Sequence, residues 1–520
     1  MMLTRALTTA LIGLLLALPA AAGAADVALG IDEAARDGNA VTLAGTSSAA
    51  EVSVAIAEPG LDAASLTYGD PLSVEGGAWS AGLDATGIDH TLAAYARACD
   101  AAECSYATRD LEAIHAVVAV VETGHTNPYH EFFHAGGSLY GSGAPSSVTP
   151  EVLEELGIDE DHVIRLTRTG DFAADFAADQ AEWAKVVPGE PFWFEGTNII
   201  GISLSTSNPL SPVSGGTHPV GTTGAVLRAN PEAIVVSVQS PTAPLGVPGY
   251  ATYPPGEVWA FETPWVDVTT HSYGPPGSPP LGYHLNDSYR AVVERGKIVV
   301  GASDNSPAAS PVDSTSGPWW TVGVAGFGEG SSEGRVLTSG SLPDFLADFT
   351  QTLPYCKSCE SGTSSVSGTS FASPRTAGVI SKVLLEARRA AGHTGGIRTV
   401  DGTPVMVDGR GITRTNWQLR RALEEAAAYP SGGSGTDPGI PQQAPWSIAG
   451  WGVVTTQHDV IPEALAHLGI SGTPTRSKSA DTCAFMTANI LARHAYWDVV
   501  APFSQGEPGL DDPYEYCSPT

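Results

Sequence analysis

The stretch Ser367-Gly368-Thr369-Ser370-Phe371-Ala372-Ser373-Pro374, running on into Arg375-Thr376-Ala377-Gly378, decides how the chain is read. A Gly-Thr turn delivers one serine. An apolar run, Val379-Ile380 through Val383-Leu384-Leu385, follows at helical spacing. Pro374 suits a first helical turn, where its missing N–H costs nothing. Ser370 is therefore expected at or just before a helix N-terminus. Unpaired N–H groups and the positive end of the helix dipole gather there. They favour the negative charge that develops when a serine attacks a carbonyl.

Upstream of the serine the texture is that of a parallel sheet. Ala116-Val117-Val118-Ala119-Val120-Val121 is continuously apolar, as a strand buried on both faces should be, and it ends in Glu122-Thr123-Gly124. Similar runs recur at Ile234-Val235-Val236-Ser237-Val238, Val266-Asp267-Val268-Thr269-Thr270-His271, Ile298-Val299-Val300-Gly301 and Trp320-Thr321-Val322-Gly323-Val324. Helical stretches such as 289–295 lie between several of them. Strand and helix in alternation predict an α/β domain with a doubly wound, mostly parallel sheet over residues 109–470. Ligands of such sheets sit beyond the C-terminal strand ends, where Glu122 falls. Residues 139–211 read as an insertion, with helices expected at 150–156 and 172–186 and a buried aromatic cluster at Pro191-Phe192-Trp193-Phe194. Downstream, residues 395–410 suggest a hairpin and 417–427 an amphipathic helix.

Residues 26–108 read differently. Val41-Thr42-Leu43-Ala44-Gly45-Thr46 and Glu51-Val52-Ser53-Val54-Ala55-Ile56 alternate at period two, and Thr91 to Ala98 does so again before Cys99. Short strands separated by turns predict a β-sandwich. Val-Thr-Leu-x-Gly-Thr, Gly77-Ala78-Trp79 and Tyr95-Ala96-Arg97-Ala98-Cys99-Asp100 resemble bacterial Ig-like modules found beside secreted enzymes. A propeptide of similar length is the competing reading. It would need two amphipathic helices, and no helical periodicity is found there.

At 520 residues the chain has material for more than one domain. Arg5, the apolar run 6–18, Pro19 and the small residues 20–25 have the layout of a secretory signal peptide, assigned to 1–25. The run is short for a membrane anchor. A secreted, extracellular protein is expected, free of membrane after cleavage. Six cysteines suit that compartment and pair by proximity as Cys99 with Cys104, Cys356 with Cys359, and Cys483 with Cys517, one of fifteen connectivities. The last pair would staple a C-terminal extension, 471–520. A formal net charge of −31 argues against nucleic acid and anionic membranes as partners.

Gly368-Thr369-Ser370-Phe371-Ala372-Ser373-Pro374 matches, without a break, the nucleophile motif of the subtilisin-like serine proteases, Gly-Thr-Ser-x-Ala-x-Pro. That resemblance implies a carboxylate, a histidine and a serine in that chain order. His218, in Gly215-Gly216-Thr217-His218-Pro219-Val220-Gly221-Thr222-Thr223-Gly224-Ala225, resembles the family's histidine motif, with Pro219 where glycine is usual. Glu122-Thr123-Gly124 stands where the family has Asp-Thr/Ser-Gly, so Glu122 takes the place of the triad aspartate. Asn305, after the 298–301 strand, matches the family's oxyanion donor, with Asp304 in place of glycine. Ser272-Tyr273-Gly274 resembles the segment that pairs with substrate as an added strand. His130 matches a recurrent histidine beyond the carboxylate. Sedolisins also combine a glutamate with such a serine, but there the glutamate takes the histidine's place, and this chain keeps His218.

The implied protein is a monomeric serine endopeptidase acting on proteins or peptides through an acyl-enzyme. The alternative is an inactive scaffold of the same family acting as an extracellular binding protein. No cofactor is expected. Many family members carry structural calcium, but no Asp-rich loop for it is found in this sequence.

Overall fold

Every residue of the strand Val117–Glu122 is buried, and the strand lies inside the main sheet. The computed structural model describes residues 27–37, 40–57, 63–86, 93–100, 104–111, 114–141, 145, 147–205, 211–213, 215–240, 254–273, 285–303, 305, 315–327, 336–338, 343–428, 450–456, 459–478 and 480–500. The signal peptide assigned to 1–25 lies outside them. The described chain forms two compact units, one of residues up to 111 and one running on from 112.

The strands of the first unit are all antiparallel. Leu29–Asp37, Ala40–Ser47 and Ala78–Asp84 make one sheet, and Leu72–Ser73, Glu51–Ala57, Ala93–Cys99 and Cys104–Asp110 make another. In Ala40–Ser47 buried and outward residues alternate, as the sequence pattern anticipates. Trp79 and Tyr95 are buried. A disulfide joins Cys99 to Cys104, residues paired across its two neighbouring strands.

The second unit is α/β. Among the described residues its main sheet has ten strands, in the order Val336–Thr338, Val322–Phe327, Ile298–Ala302, Val268–His271, Val117–Glu122, Ile234–Gln239, Ile199–Ser203, Phe192–Phe194 and Val163–Ile164, with Phe345–Asp348 also pairing with Val322–Phe327. From Ile199–Ser203 to Val322–Phe327 all pairings are parallel. The sheet grows to one side of Val117–Glu122 with Ile199–Ser203 and Ile234–Gln239. It then crosses over and grows to the other side from Val268–His271 onward. In sheets whose order reverses in this way, ligands bind outside the C-terminal ends of the strands.

Helices cover both faces. Val118 and Val120 enter a core with Val226 and Leu227 of the helix His218–Ala229 and with Val379 and Val383 of the helix Thr369–Ala391. Val117, Ala119 and Val121 enter the opposite core with Val152 and Ala260 of the helices Pro150–Glu155 and Pro254–Glu262. Period-two alternation carries this forward, so Glu122 falls on the face that holds the two helices bearing His218 and Ser370.

Residues 139–211 differ in part from the reading as an insertion. They supply Ile199–Ser203, buried throughout and parallel to Ile234–Gln239, and the aromatic cluster is itself a strand, Phe192–Phe194. The single helix expected at 172–186 is two, Phe172–Ala178 and Gln180–Trp183. Asp179 marks the break: its carboxylate accepts from Thr167 N (2.8 Å), Thr167 Oγ1 (2.7 Å) and Tyr129 OH (3.0 Å). The hairpin expected at 395–410 is followed by a second: Arg398–Val400 pairs with Thr403–Val405, and Val407–Gly409 with Ile412–Arg414. No helix among the described residues is long and apolar enough to cross a membrane.

Candidate active site

Glu122 closes its strand with a buried side chain, and its Oε1 lies 2.8 Å from His218 Nδ1. A carboxylate acceptor assigns the imidazole proton to Nδ1 and leaves Nε2 as the basic nitrogen. Burial pulls the His218 pKa down, but the charge of Glu122 and its hydrogen bond outweigh that, and the value is held above that of an ordinary histidine. His218 is the first residue of its helix. Pro219 is therefore the second, where the backbone N–H has no intrahelical partner, so the proline costs no hydrogen bond. The chain reaches this helix by crossing the turn after Glu122. A Cβ on Gly215, whose φ is +71°, would stand 2.5 Å from Gly124 Cα, so that crossing requires glycine.

Ser370 is the second residue of the helix Thr369–Ala391. The expected start is found, but Pro374 lies inside the helix, in its second turn and not its first. The helix runs against that of His218 through small residues. A Cβ on Gly378 would stand 2.4 Å from Val226 O, and one on Gly221 2.8 Å from the rings of Phe371 and Tyr355. The His218 ring sits 5.5 Å, centroid to centroid, from Phe371, the residue after the serine. The Ser370 N–H is among the first-turn donors without an intrahelical acceptor. Ser370 Oγ donates to the Ser272 carbonyl at 3.3 Å, and among the described residues that is its one hydrogen bond. The hydroxyl thus faces Ser272, not His218 Nε2, in this state.

Asn305 lies beyond the end of Ile298–Ala302, exposed, with its Oδ1 accepting from Thr369 N at 2.8 Å and from Thr369 Oγ1 at 3.0 Å. Anchoring Oδ1 turns the amide Nδ2 into the free donor. Thr369 Oγ1 also reaches Ser303 O, so this threonine ties the turn holding Asn305 to the serine helix. Ser272 and Tyr273 follow the strand Val268–His271; Ser272 Oγ donates to Ser370 O at 2.7 Å, and Tyr273 OH to Glu257 Oε1 at 2.7 Å. Gly274 and Asp304 lie outside the described residues.

The sequence points to Ser370 and Asn305 but not to Thr369, which links them. Nor does it point directly to Ser272 Oγ as a partner of the serine's backbone. The available signal for the second was Pro374, four residues after Ser370, where a helical N–H would be needed.

The other nearby histidines are committed elsewhere. His125 Nδ1 lies 2.7 Å from Thr126 O, His130 Nε2 2.7 Å from Gly362 O, and His134 Nε2 2.6 Å from Pro128 O. Burial lowers the pKa of His125 to about 3 and of His134 to about 4. Among the described residues no group of three or more His, Cys, Asp or Glu side chains is arranged to hold a metal ion. Cys356 and Cys359 are disulfide-bonded, and Asn127 Nδ2 donates to both of their carbonyls, at 3.1 and 2.7 Å. Cys483 is disulfide-bonded too, while Cys517 lies outside the described residues.

No protein-family model matches this chain, and no curated protein matches it. Solved structures do. The chain is similar to the prenylagaramide maturation protease PagA at 15% identity and a TM-score of 0.36, over 69% of this chain and 94% of that one. It is similar to sphericase at 14% identity and a TM-score of 0.36, over 66% of this chain and 93% of that one.

Proposed function

We propose that the chain is a secreted, subtilisin-like serine endopeptidase with a Glu-His-Ser triad. The observation that carries the reading is the 2.8 Å contact of Glu122 Oε1 with His218 Nδ1, beside the helix that presents Ser370. In the cycle, a turn about χ1 takes Ser370 Oγ from Ser272 O to His218 Nε2. His218 accepts the hydroxyl proton as Oγ bonds to the scissile carbonyl carbon, and Glu122 steadies the imidazolium. The carbonyl oxygen becomes an oxyanion held by Asn305 Nδ2 and the Ser370 N–H. His218 returns the proton to the leaving amine as the C–N bond breaks, and water then hydrolyses the acyl-enzyme by the same steps. Ser272-Tyr273-Gly274 pairs with the substrate backbone. Protein or peptide substrates follow from this reading.

We further read the N-terminal unit as an Ig-like β-sandwich module, supported by its two antiparallel sheets.

The inactive-scaffold reading draws on one observation, that Ser370 Oγ is turned to Ser272 O. Catalytic hydrogen bonds often close only with substrate present, so this geometry is compatible with activity. Hydrolysis of a quenched fluorescent protein substrate separates the two readings. Cleavage lost in Ser370→Ala supports the peptidase. No cleavage by folded wild-type protein across a panel of such substrates overturns it.

A further inference from the structure

In an α-helix the N–H of residue 374 would donate to the carbonyl of residue 370. Pro374 has no N–H, and its ring crowds that carbonyl. The chain thus removes a helical hydrogen bond from the peptide group of Ser370. The freed oxygen is not left bare. Ser272 Oγ donates to Ser370 O at 2.7 Å, and Ser272 is buried.

Strand alternation makes this contact part of a series. Val268, Thr270 and Ser272 share the face toward the serine helix: Val268 joins its core, Thr270 Oγ1 lies 3.0 Å from Ser373 Oγ, and Ser272 meets Ser370. Thr269, His271 and Tyr273 alternate with them, and Tyr273 reaches Glu257 of the helix Pro254–Glu262. Two steps along this segment match three along the helix, so the start of the helix is tied to it at both Ser370 and Ser373. The next carbonyls also take side-chain donors, Phe371 O from Gln351 Nε2 at 2.9 Å and Ala372 O from Thr376 Oγ1 at 3.1 Å.

We propose that Ser272 is a positioning residue: its hydroxyl stands in for the donor that Pro374 lacks and fixes the backbone of Ser370. This rests on the serine-peptidase reading above and deepens it. When Ser370 Oγ swings toward His218, only a side-chain torsion moves. The peptide unit stays held through Ser370 O, and the neighbouring N–H keeps its aim at the oxyanion. The same residue would then hold substrate through its backbone and the nucleophile through its side chain.

The test uses the full-length secreted protein, a fluorophosphonate probe and a chromogenic peptide substrate, with thermal unfolding as a check on folding. Ser272→Ala is expected to slow labelling about tenfold, the scale of a small misplacement of a reacting group. It should lower kcat with KM little changed, and Ser272→Thr should retain most of the rate. Pro374→Ala restores a backbone N–H, so the double variant Ser272→Ala, Pro374→Ala should label close to the rate of Pro374→Ala alone. Unchanged labelling in Ser272→Ala overturns the proposal, and so does a loss that Pro374→Ala fails to rescue. If Ser272→Ala does not fold, the comparison is made within the Pro374→Ala background, where a further loss on removing the hydroxyl overturns it. Absence of labelling in folded wild-type protein overturns the peptidase reading itself, a distinct outcome.

Discussion

Glu122 departs most from the pattern its neighbours resemble, and its extra methylene is accommodated in a 2.8 Å contact with His218 Nδ1. Glu122→Gln removes the charge and leaves the shape. A triad carboxylate replaced by its amide can cost about 10⁴ in rate. A fall of that order in kcat/KM is expected, and full retained activity would refute the role. Glu122→Asp keeps the charge but withdraws the oxygen, so its rate should fall between those two. The pH profile carries a second expectation. His218 must be neutral to act as base, and its pKa is held above the ordinary value of 6.5. The acid limb of kcat/KM should therefore lie above pH 6.5 and move to lower pH in Glu122→Gln, as the charge that favours imidazolium is removed. Glu122 and Ser370 are legible as candidates in the sequence because of where they fall: Glu122 ends an apolar run, and Ser370 precedes one of helical spacing. Thr369 and the Ser272 hydroxyl are not, because their partners are distant in sequence and their residue types are common.

At the scale of elements, His218 and Ser370 depend on how closely two helices approach. Gly378 has no room for a methyl group: the obstacle is backbone, Val226 O at 2.4 Å, and not a side chain that could turn away. Gly378→Ala should destabilise the protein by about 1–3 kcal/mol, the usual cost of overpacking. It should also lower activity in the molecules that remain folded, because the helices must part. Unfolding by denaturant together with active-site titration measures both effects. The helix run after Ser370 and the small residues after His218 were readable as period and composition. The strands within 139–211 were harder. Ile199–Ser203 is short, and Phe192–Phe194 is shorter still, so the pull of nearby helical patterns outweighed a five-residue apolar run.

Across the whole α/β unit, one buried ion pair ties the far end of the serine helix to the sheet. Arg388 and Asp267 are fully buried and bidentate, with Nη1–Oδ2 at 2.8 Å and Nη2–Oδ1 at 2.7 Å. Arg388 also donates to the carbonyls of His115, Gly396 and Met406, and Asp267 accepts from Val117 N at 2.9 Å. Burial would raise the Asp267 pKa, but Arg388 and these hydrogen bonds hold it below the usual 3.8. Its contribution to stability is therefore present above about pH 4 and is lost as pH falls through the lowered value. Asp267→Asn should cost about 3–5 kcal/mol at neutral pH, since it leaves Arg388 buried without its counter-charge. Thermal unfolding from pH 7 to 3 should show the gap to wild type narrowing with acid. The doubly wound order was legible from the alternation of apolar runs and helices, whereas this pair, 121 residues apart, was not. The central claim concerns Ser370 as a nucleophile in the folded protein. Its most direct test is the site of fluorophosphonate addition, found by mass spectrometry of peptides from labelled, folded protein. A stoichiometric adduct on Ser370, absent in Ser370→Ala and His218→Ala, is predicted; an unlabelled Ser370 in folded wild-type protein would contradict the account.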